Sequence, residues 1–150
     1  MRYFALIALL VVGCGKEIGD ECIVSSDCSP DGDRLCEDQH CTIKGCDYDT
    51  CPDEAACVRF FSGYFSNKPC TQQVDCTLDE LCSLKGFCVS RASEVRYCMR
   101  ACDSNDDCPT RYECRDYALM KSHGGEPVLA PGKVVSEQTA PKFCAPAPLL

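Results

Sequence analysis

Tryptophan is absent from the 150-residue chain, aromatic residues make up 8% of it, and there are two histidines. No two cysteines are spaced Cys-x2-Cys; the tightest spacing runs from Cys98 to Cys102. That absence excludes the thioredoxin-like redox motif, the Cys-x2-Cys-His haem attachment and the usual zinc knuckle or ribbon. His-Glu-x-x-His, Gly-x-Ser-x-Gly, Gly-x-Gly-x-x-Gly and the P-loop are missing too, so the common hydrolase and nucleotide-binding chemistries have no motif to carry them. The apolar run Tyr3 to Val12 is ten residues long, well short of the roughly 20 that span a bilayer. Hydrophobic residues make up 45% of the chain. Without the cysteines and that run the figure falls to about 30%, too little for a large core at this size.

What is present in excess is cysteine. Seventeen residues, about 11% of the chain, exceed the level at which a short secreted chain reads as a disulfide scaffold. A reduced cytosolic enzyme is disfavoured, because so many thiols would each need a metal or a catalytic task. Stability must come mainly from cross-links. The formal net charge is −8. Such a surface repels nucleic acid and anionic lipid, and no Lys/Arg cluster with interleaved aromatics offsets it, so no nucleic-acid partner is expected.

The N-terminus reads as an address. Met1-Arg2 is positive, Tyr3 to Val12 has the length of a signal-peptide apolar region, and no Ala-x-Ala site follows. The run ends Leu10-Val11-Val12-Gly13-Cys14. An aliphatic residue three before a cysteine and a small one just before it resemble the bacterial lipobox. The resemblance covers residues 1–14 and implies a lipoprotein signal peptide (1–13) cleaved before Cys14. It also implies a diacylglycerol on the Cys14 sulfur, further acylation such as palmitate, and a lipidated tether (14–21). The alternative is an ordinary secretory signal in which Cys14 happens to fall. Parity favours lipidation: seventeen cysteines leave one odd, and a lipidated Cys14 leaves sixteen for eight disulfides. Gly15 is not the Asp associated with inner-membrane retention, which points to the outer membrane, on its periplasmic face or at the cell surface.

The remaining cysteines repeat. Glu-Cys22-Ile-Val-Ser-Ser-Asp-Cys28, Gly-Cys46-Asp-Tyr-Asp-Thr-Cys51, Pro-Cys70-Thr-Gln-Gln-Val-Asp-Cys76 and Ala-Cys102-Asp-Ser-Asn-Asp-Asp-Cys108 share one pattern. Asp27, Asp75 and Asp107 stand before the second cysteine, and Pro30, Pro52 and Pro109 lie just after it. This is turn chemistry: the Asp side chain caps backbone N–H groups and Pro pre-sets φ. Third cysteines follow at Cys36, Cys57, Cys82 and Cys114. Cys41 and Cys88 close the first and third units at short range. Cys98 and Cys144 share a basic-aromatic-Cys context, Arg-Tyr-Cys98 and Lys-Phe-Cys144, and are read as closing the second and fourth.

On that reading the third unit is an insertion within the second; the plainer alternative is a serial string with Cys98 bridging neighbours. The nested reading pairs first with third and second with fourth. The disulfides would be Cys22–Cys36, Cys28–Cys41, Cys46–Cys57, Cys51–Cys98, Cys70–Cys82, Cys76–Cys88, Cys102–Cys114 and Cys108–Cys144. The order of the cysteines also suggests a duplicated two-unit block, 22–69 and 70–150. The expected fold is small and disulfide-rich: tandem four-cysteine modules, mostly coil, with short β-ribbons at the closing cysteines. Single helical turns are expected at 53–56 and 78–81, and strands at Arg59-Phe60-Phe61 and Gly86 to Val89.

The spacing from Cys70 to Cys88 resembles four-cysteine modules such as the dickkopf N-terminal cysteine-rich region. The lipobox followed by such units resembles the cysteine-rich lipoproteins of myxobacteria. Neither resemblance brings an activity, since none of the dickkopf binding residues can be matched here.

His40 is read as a solvated turn residue and His123 as a loop tip. Asp31-Gly32-Asp33, and Asp47-Tyr48-Asp49 with Asp53-Glu54, bring carboxylates together. A Ca²⁺ site needs six to eight converging oxygens and neither stretch matches a known loop, so they are read as turn caps on an acidic surface; no cofactor or metal is expected. Residues 115–143 hold no cysteine between Cys114 and Cys144 and include Gly124-Gly125, Pro127 and Pro131. They are read as a flexible excursion, or else a recognition loop. Phe60-Phe61-Ser-Gly-Tyr64-Phe65 is read as a mini-core of the second unit. The expected function is a lipid-anchored, non-catalytic envelope protein that binds the membrane through Cys14 and an unknown envelope or extracellular protein. The alternative is a protease inhibitor or other enzyme-regulating module presenting 115–143.

Overall fold

The computed structural model describes residues 15–61 and 68–148. Cys14 and its lipobox, with Tyr64 and Phe65 of the aromatic cluster, lie outside the described residues. All four units are built alike. In three of them the loop after the first cysteine ends in one helical turn: α1 (Ser25–Cys28) and 3-10 turns at Gln73–Asp75 and Asn105–Asp107. The carboxylate before the second cysteine ties each turn. Asp27 accepts the N–H groups of Ile23 and Val24 at 2.8 and 3.1 Å, and Asp75 those of Thr71 and Gln72 at 2.8 and 3.0 Å. Asp107 accepts those of Asp103 and Ser104, both at 2.9 Å. In the second unit Thr50 replaces the Asp, and its hydroxyl accepts the Asp47 N–H at 2.7 Å.

The third and fourth cysteines of every unit face each other across an antiparallel pair. The pairs are β1 (Leu35–Glu37) with β2 (His40–Thr42), β3 (Ala55–Phe61) with β6 (Glu94–Arg100), β4 (Glu80–Cys82) with β5 (Cys88–Ser90), and β7 (Tyr112–Arg115) with β9 (Phe143–Pro146). The registers oppose Cys36 to Cys41, Cys57 to Cys98, Cys82 to Cys88 and Cys114 to Cys144. Opposed residues of an antiparallel pair point to one face. Each facing couple therefore presents both sulfurs to the loop carrying the first and second cysteines. The eight disulfides are Cys22–Cys36, Cys28–Cys41, Cys46–Cys57, Cys51–Cys98, Cys70–Cys82, Cys76–Cys88, Cys102–Cys114 and Cys108–Cys144. These are the pairs the nested reading gives.

The centre of the molecule is a three-stranded sheet in the order β6-β3-β8, where β8 is Glu126–Pro127. The third unit is inserted between β3 and β6. The β3–β6 pairing, Ala55 with Arg100 through Phe61 with Glu94, spans the 69/70 line that the duplicated-block reading draws. Alternation along β3 feeds two small cores. Cys57 and Cys98 pack with Ile18 and Cys46 on one face, and Val58 packs with Met120, Phe143 and Ala145 on the other. A third cluster is made of Cys22, Cys28 and Cys41.

Two expectations are corrected. The tetrapeptides 53–56 and 78–81 are not helical turns: Asp53-Glu54 and Leu78-Asp79 are tight turns that lead straight into β3 and β4. The third cysteine must stand on extended backbone to face the fourth, and this overrides local helix preference. Residues 115–127 are not a flexible excursion. Arg115 ends β7, α2 (Tyr117–His123) follows, and β8 pairs with β3. Asp116 caps α2 by accepting the Leu119 N–H at 2.9 Å. At Gly125, with φ +77, a Cβ would come within 2.9 Å of the Phe60 ring, so only glycine lets the chain turn into β8 there. Val128 donates to the Cys57 carbonyl at 2.8 Å, while Val134 is 77% exposed.

Candidate binding cleft between the first, second and fourth units

A two-residue turn links β1 to β2, with Asp38 and Gln39 both at positive φ, 48° and 67°. Consecutive left-handed residues match the right-handed twist of the strands. The turn carries Glu37 and Asp38 outward and returns the chain as His40. The His40 Nδ1 lies 2.8 Å from the Asp38 carbonyl, and its ring meets Tyr112 edge-on at 4.7 Å between centroids. His40 is thus not a solvated turn residue; it lies half-buried on β2 and joins the first unit to the fourth. Burial, and then the nearby Asp38 charge, push the Tyr112 phenol up to about 12. Behind these rings opens a cleft of about 210 Å³, walled by Ile18 and His40, by Phe60, Tyr97 and Met99 of the central sheet, and by Tyr112 and Pro146 of the fourth unit. Cys41, Cys98 and Cys144 also line it.

Two partly buried ion pairs brace the surroundings. Glu126, 3% exposed, accepts from Arg59 Nε and Nη2 at 3.0 and 2.8 Å, and from the Leu84 N–H at 2.6 Å. One carboxylate thereby holds the third unit, through Leu84, to the central sheet. Arg115, 5% exposed, donates to Glu113 at 2.9 Å, to the Gly124 carbonyl at 2.8 Å and to the Pro146 carbonyl at 2.5 Å. His123 closes α2 rather than tipping a loop, with Nδ1 2.6 Å from Glu113. Burial acts to raise the Glu113 carboxyl, but the His123 and Arg115 bonds outweigh it and hold the group below its ordinary range.

The acidic stretches do not converge. Asp47 is bonded to Arg96 at 3.3 Å, and Asp31, Asp33, Asp49 and Asp53 are exposed. Among the described residues, sets of three potential ligand atoms within 4.8 Å of one another consist of cysteine sulfurs. All of these are in disulfides, so they offer no thiolates.

Sequence reasoning missed one recurrent contact. The side chains of Ser25, Gln73 and Asn105, each two before the capping Asp, accept the N–H of the third cysteine at 3.1, 3.2 and 2.8 Å. The signal was a polar residue at that place in three units. Glu126, Arg59 and Arg115 gave no such signal, since their partners are distant in sequence. No family model, curated protein or solved structure matches the chain.

Proposed function

We propose that the chain is a lipid-anchored, non-catalytic interaction protein of a bacterial cell envelope. The lipobox ending at Cys14 supports the anchor and, since it belongs to bacteria, the envelope. The observation that carries the interaction role is the exposure of large aliphatic side chains on cross-linked loop tips. Ile23 is 91% exposed in the first unit, and Val74 and Leu78 are 81% and 94% exposed on either side of Cys76 in the third. A chain with so little apolar residue to stabilise itself leaves these three in water, on loops fixed by disulfides and Asp caps. Fixed loops bind with little ordering cost. The non-catalytic reading draws on the sequence, in which none of the common hydrolase or nucleotide-binding motifs is found.

Two experiments test this. Cys14→Ser should move the protein from the membrane fraction to the soluble one, because two or three acyl chains anchor stably and none does; retention in the membrane would overturn the anchor. In-cell cross-linking should give a discrete partner adduct that Val74→Ser/Leu78→Ser loses; an adduct indifferent to that change would overturn the tip assignment.

The inhibitor alternative narrows to residues 131–139, the mostly exposed remainder of the segment. Val134 projects there, and its carbonyl accepts the Thr139 hydroxyl at 2.7 Å. A Lys133-Val134 bond on a restrained loop suits a protease that cleaves after basic residues. Stable complex formation with trypsin would favour this reading, and rapid cleavage without inhibition would end it.

A further inference from the structure

We propose that the cleft between the first, second and fourth units receives one lysine or arginine side chain of the partner protein, its stem between the aromatic walls and its charge at Glu37 and Asp38. This rests on the interaction reading and names the chemistry of one contact.

Size limits the occupant first. The cleft holds about 210 Å³, below the roughly 300–1,000 Å³ of pockets for drug-sized ligands. One long side chain fills it. Shape comes second. Cys41, Cys98 and Cys144 line the cleft, and each is bridged within its own unit, to Cys28, Cys51 and Cys108. Three cross-links from three units hold its walls, so a ligand meets a formed site and little has to be ordered on binding.

Charge comes third. Several carboxylates elsewhere in the molecule are answered internally: Asp20 by Arg100, Glu94 and Asp47 by Arg96, Glu113 by Arg115. Glu37 and Asp38, at the mouth of the cleft, have no side-chain hydrogen-bond or ion-pair partner among the described residues. Aromatic faces add to the attraction for a cation. The protein already makes that contact itself, with the Lys44 ammonium 5.7 Å from the centre of the Tyr97 ring. Arg100, which also borders the cleft, does not oppose a cation strongly, since its guanidinium lies 3.5 Å from Asp20. Its stem is packed so closely on Gly19 that a Cβ there would come within 3.0 Å of it.

The test is an amide-resolved NMR titration of the oxidised full chain with the acetyl, methylamide-capped forms of lysine, arginine and norleucine. Norleucine has a lysine-like stem without the charge. A ligand of about a dozen heavy atoms should bind in the millimolar range. The lysine and arginine probes should shift His40, Tyr97 and Tyr112, with norleucine roughly tenfold weaker. Glu37→Gln/Asp38→Asn changes two exposed side chains and should weaken the cationic probes about tenfold while leaving norleucine unchanged. Equal binding of norleucine and lysine would overturn the proposal in favour of a plain apolar groove. Probe binding indifferent to the double substitution, or no shift up to about 50 mM of any probe, would overturn it as well. None of these outcomes touches the Cys14→Ser fractionation or the Val74/Leu78 cross-link, so failure here is distinguishable from failure of the interaction reading.

Discussion

Asp27, Asp75 and Asp107 hold their carboxyls below the ordinary 3.8, chiefly because each accepts two backbone N–H groups. Folding therefore favours the charged form. The contribution is complete above about pH 4 and is lost as pH falls through the depressed folded value. Carboxylate titrations followed by NMR should give midpoints below 3.8 for all three, and the Val24, Gln72 and Ser104 amides should shift with them. Ordinary midpoints would remove the caps from the account. Glu126 acts at the same scale but in a buried place. Glu126→Ala leaves the Arg59 guanidinium and the Leu84 N–H without their acceptor. Breaking a buried pair costs about 3–5 kcal/mol; with Arg59 24% exposed, about 3 kcal/mol is expected in denaturation of the oxidised protein. The Asp caps were legible in the sequence because donor and acceptor lie within four residues. Glu126 was not, because Arg59 stands 67 residues away.

The element that departs furthest from expectation is α2 with β8. Seven residues make barely two turns, too few for an apolar period to emerge, and Gly124-Gly125 and Pro127 read as breakers. The structure uses those same residues to end the helix and to lay a two-residue strand on the edge of β3. Met120 is fully buried against Val58, Phe143 and Ala145. Met120→Ala should cost about 2–4 kcal/mol, within the range for buried methionine truncation, while Val134→Ser, at an exposed position, should change stability by less than about 0.5 kcal/mol. Deletion of 120–138 should then prevent a single native fold, seen as loss of amide-exchange protection across β3. Retained protection would restore the reading as a flexible excursion.

Across the whole molecule, nesting replaces a string of beads. The second and fourth units each split their strand pair around a long insertion, and the insertion of the fourth unit reaches β3 of the second and Leu84 of the third. Cys51–Cys98 closes 47 residues, against 12 for Cys70–Cys82. If cross-links act by restricting the unfolded chain, replacing Cys51 and Cys98 together by Ala should cost about 4 kcal/mol, and the Cys70/Cys82 pair about 3 kcal/mol. The two losses should also differ in reach. The first should loosen the central sheet and the cleft, and the second should stay within the third unit, as amide exchange would report.

By itself the sequence determined the repeat and the capping turns, and it offered the cysteine pairing as one of two readings, nested or serial. The repeat and the caps rest on short-range geometry: loops of four or five residues between the first and second cysteines, and an Asp that reaches its own turn. The closing context, Arg-Tyr-Cys98 or Lys-Phe-Cys144, pointed to the fourth cysteine, but only the fold decided that Cys51 meets Cys98 across 47 residues. What only the tertiary structure decided is how the four units meet. The sheet order β6-β3-β8, the burial of Glu126 and Arg115, and the cleft at His40 and Tyr112 depend on residues brought together from far apart in the chain. In a chain with so few apolar residues besides its cysteines, those meetings rest on ion pairs and single buried side chains, and such one-time contacts leave no period or spacing in a sequence.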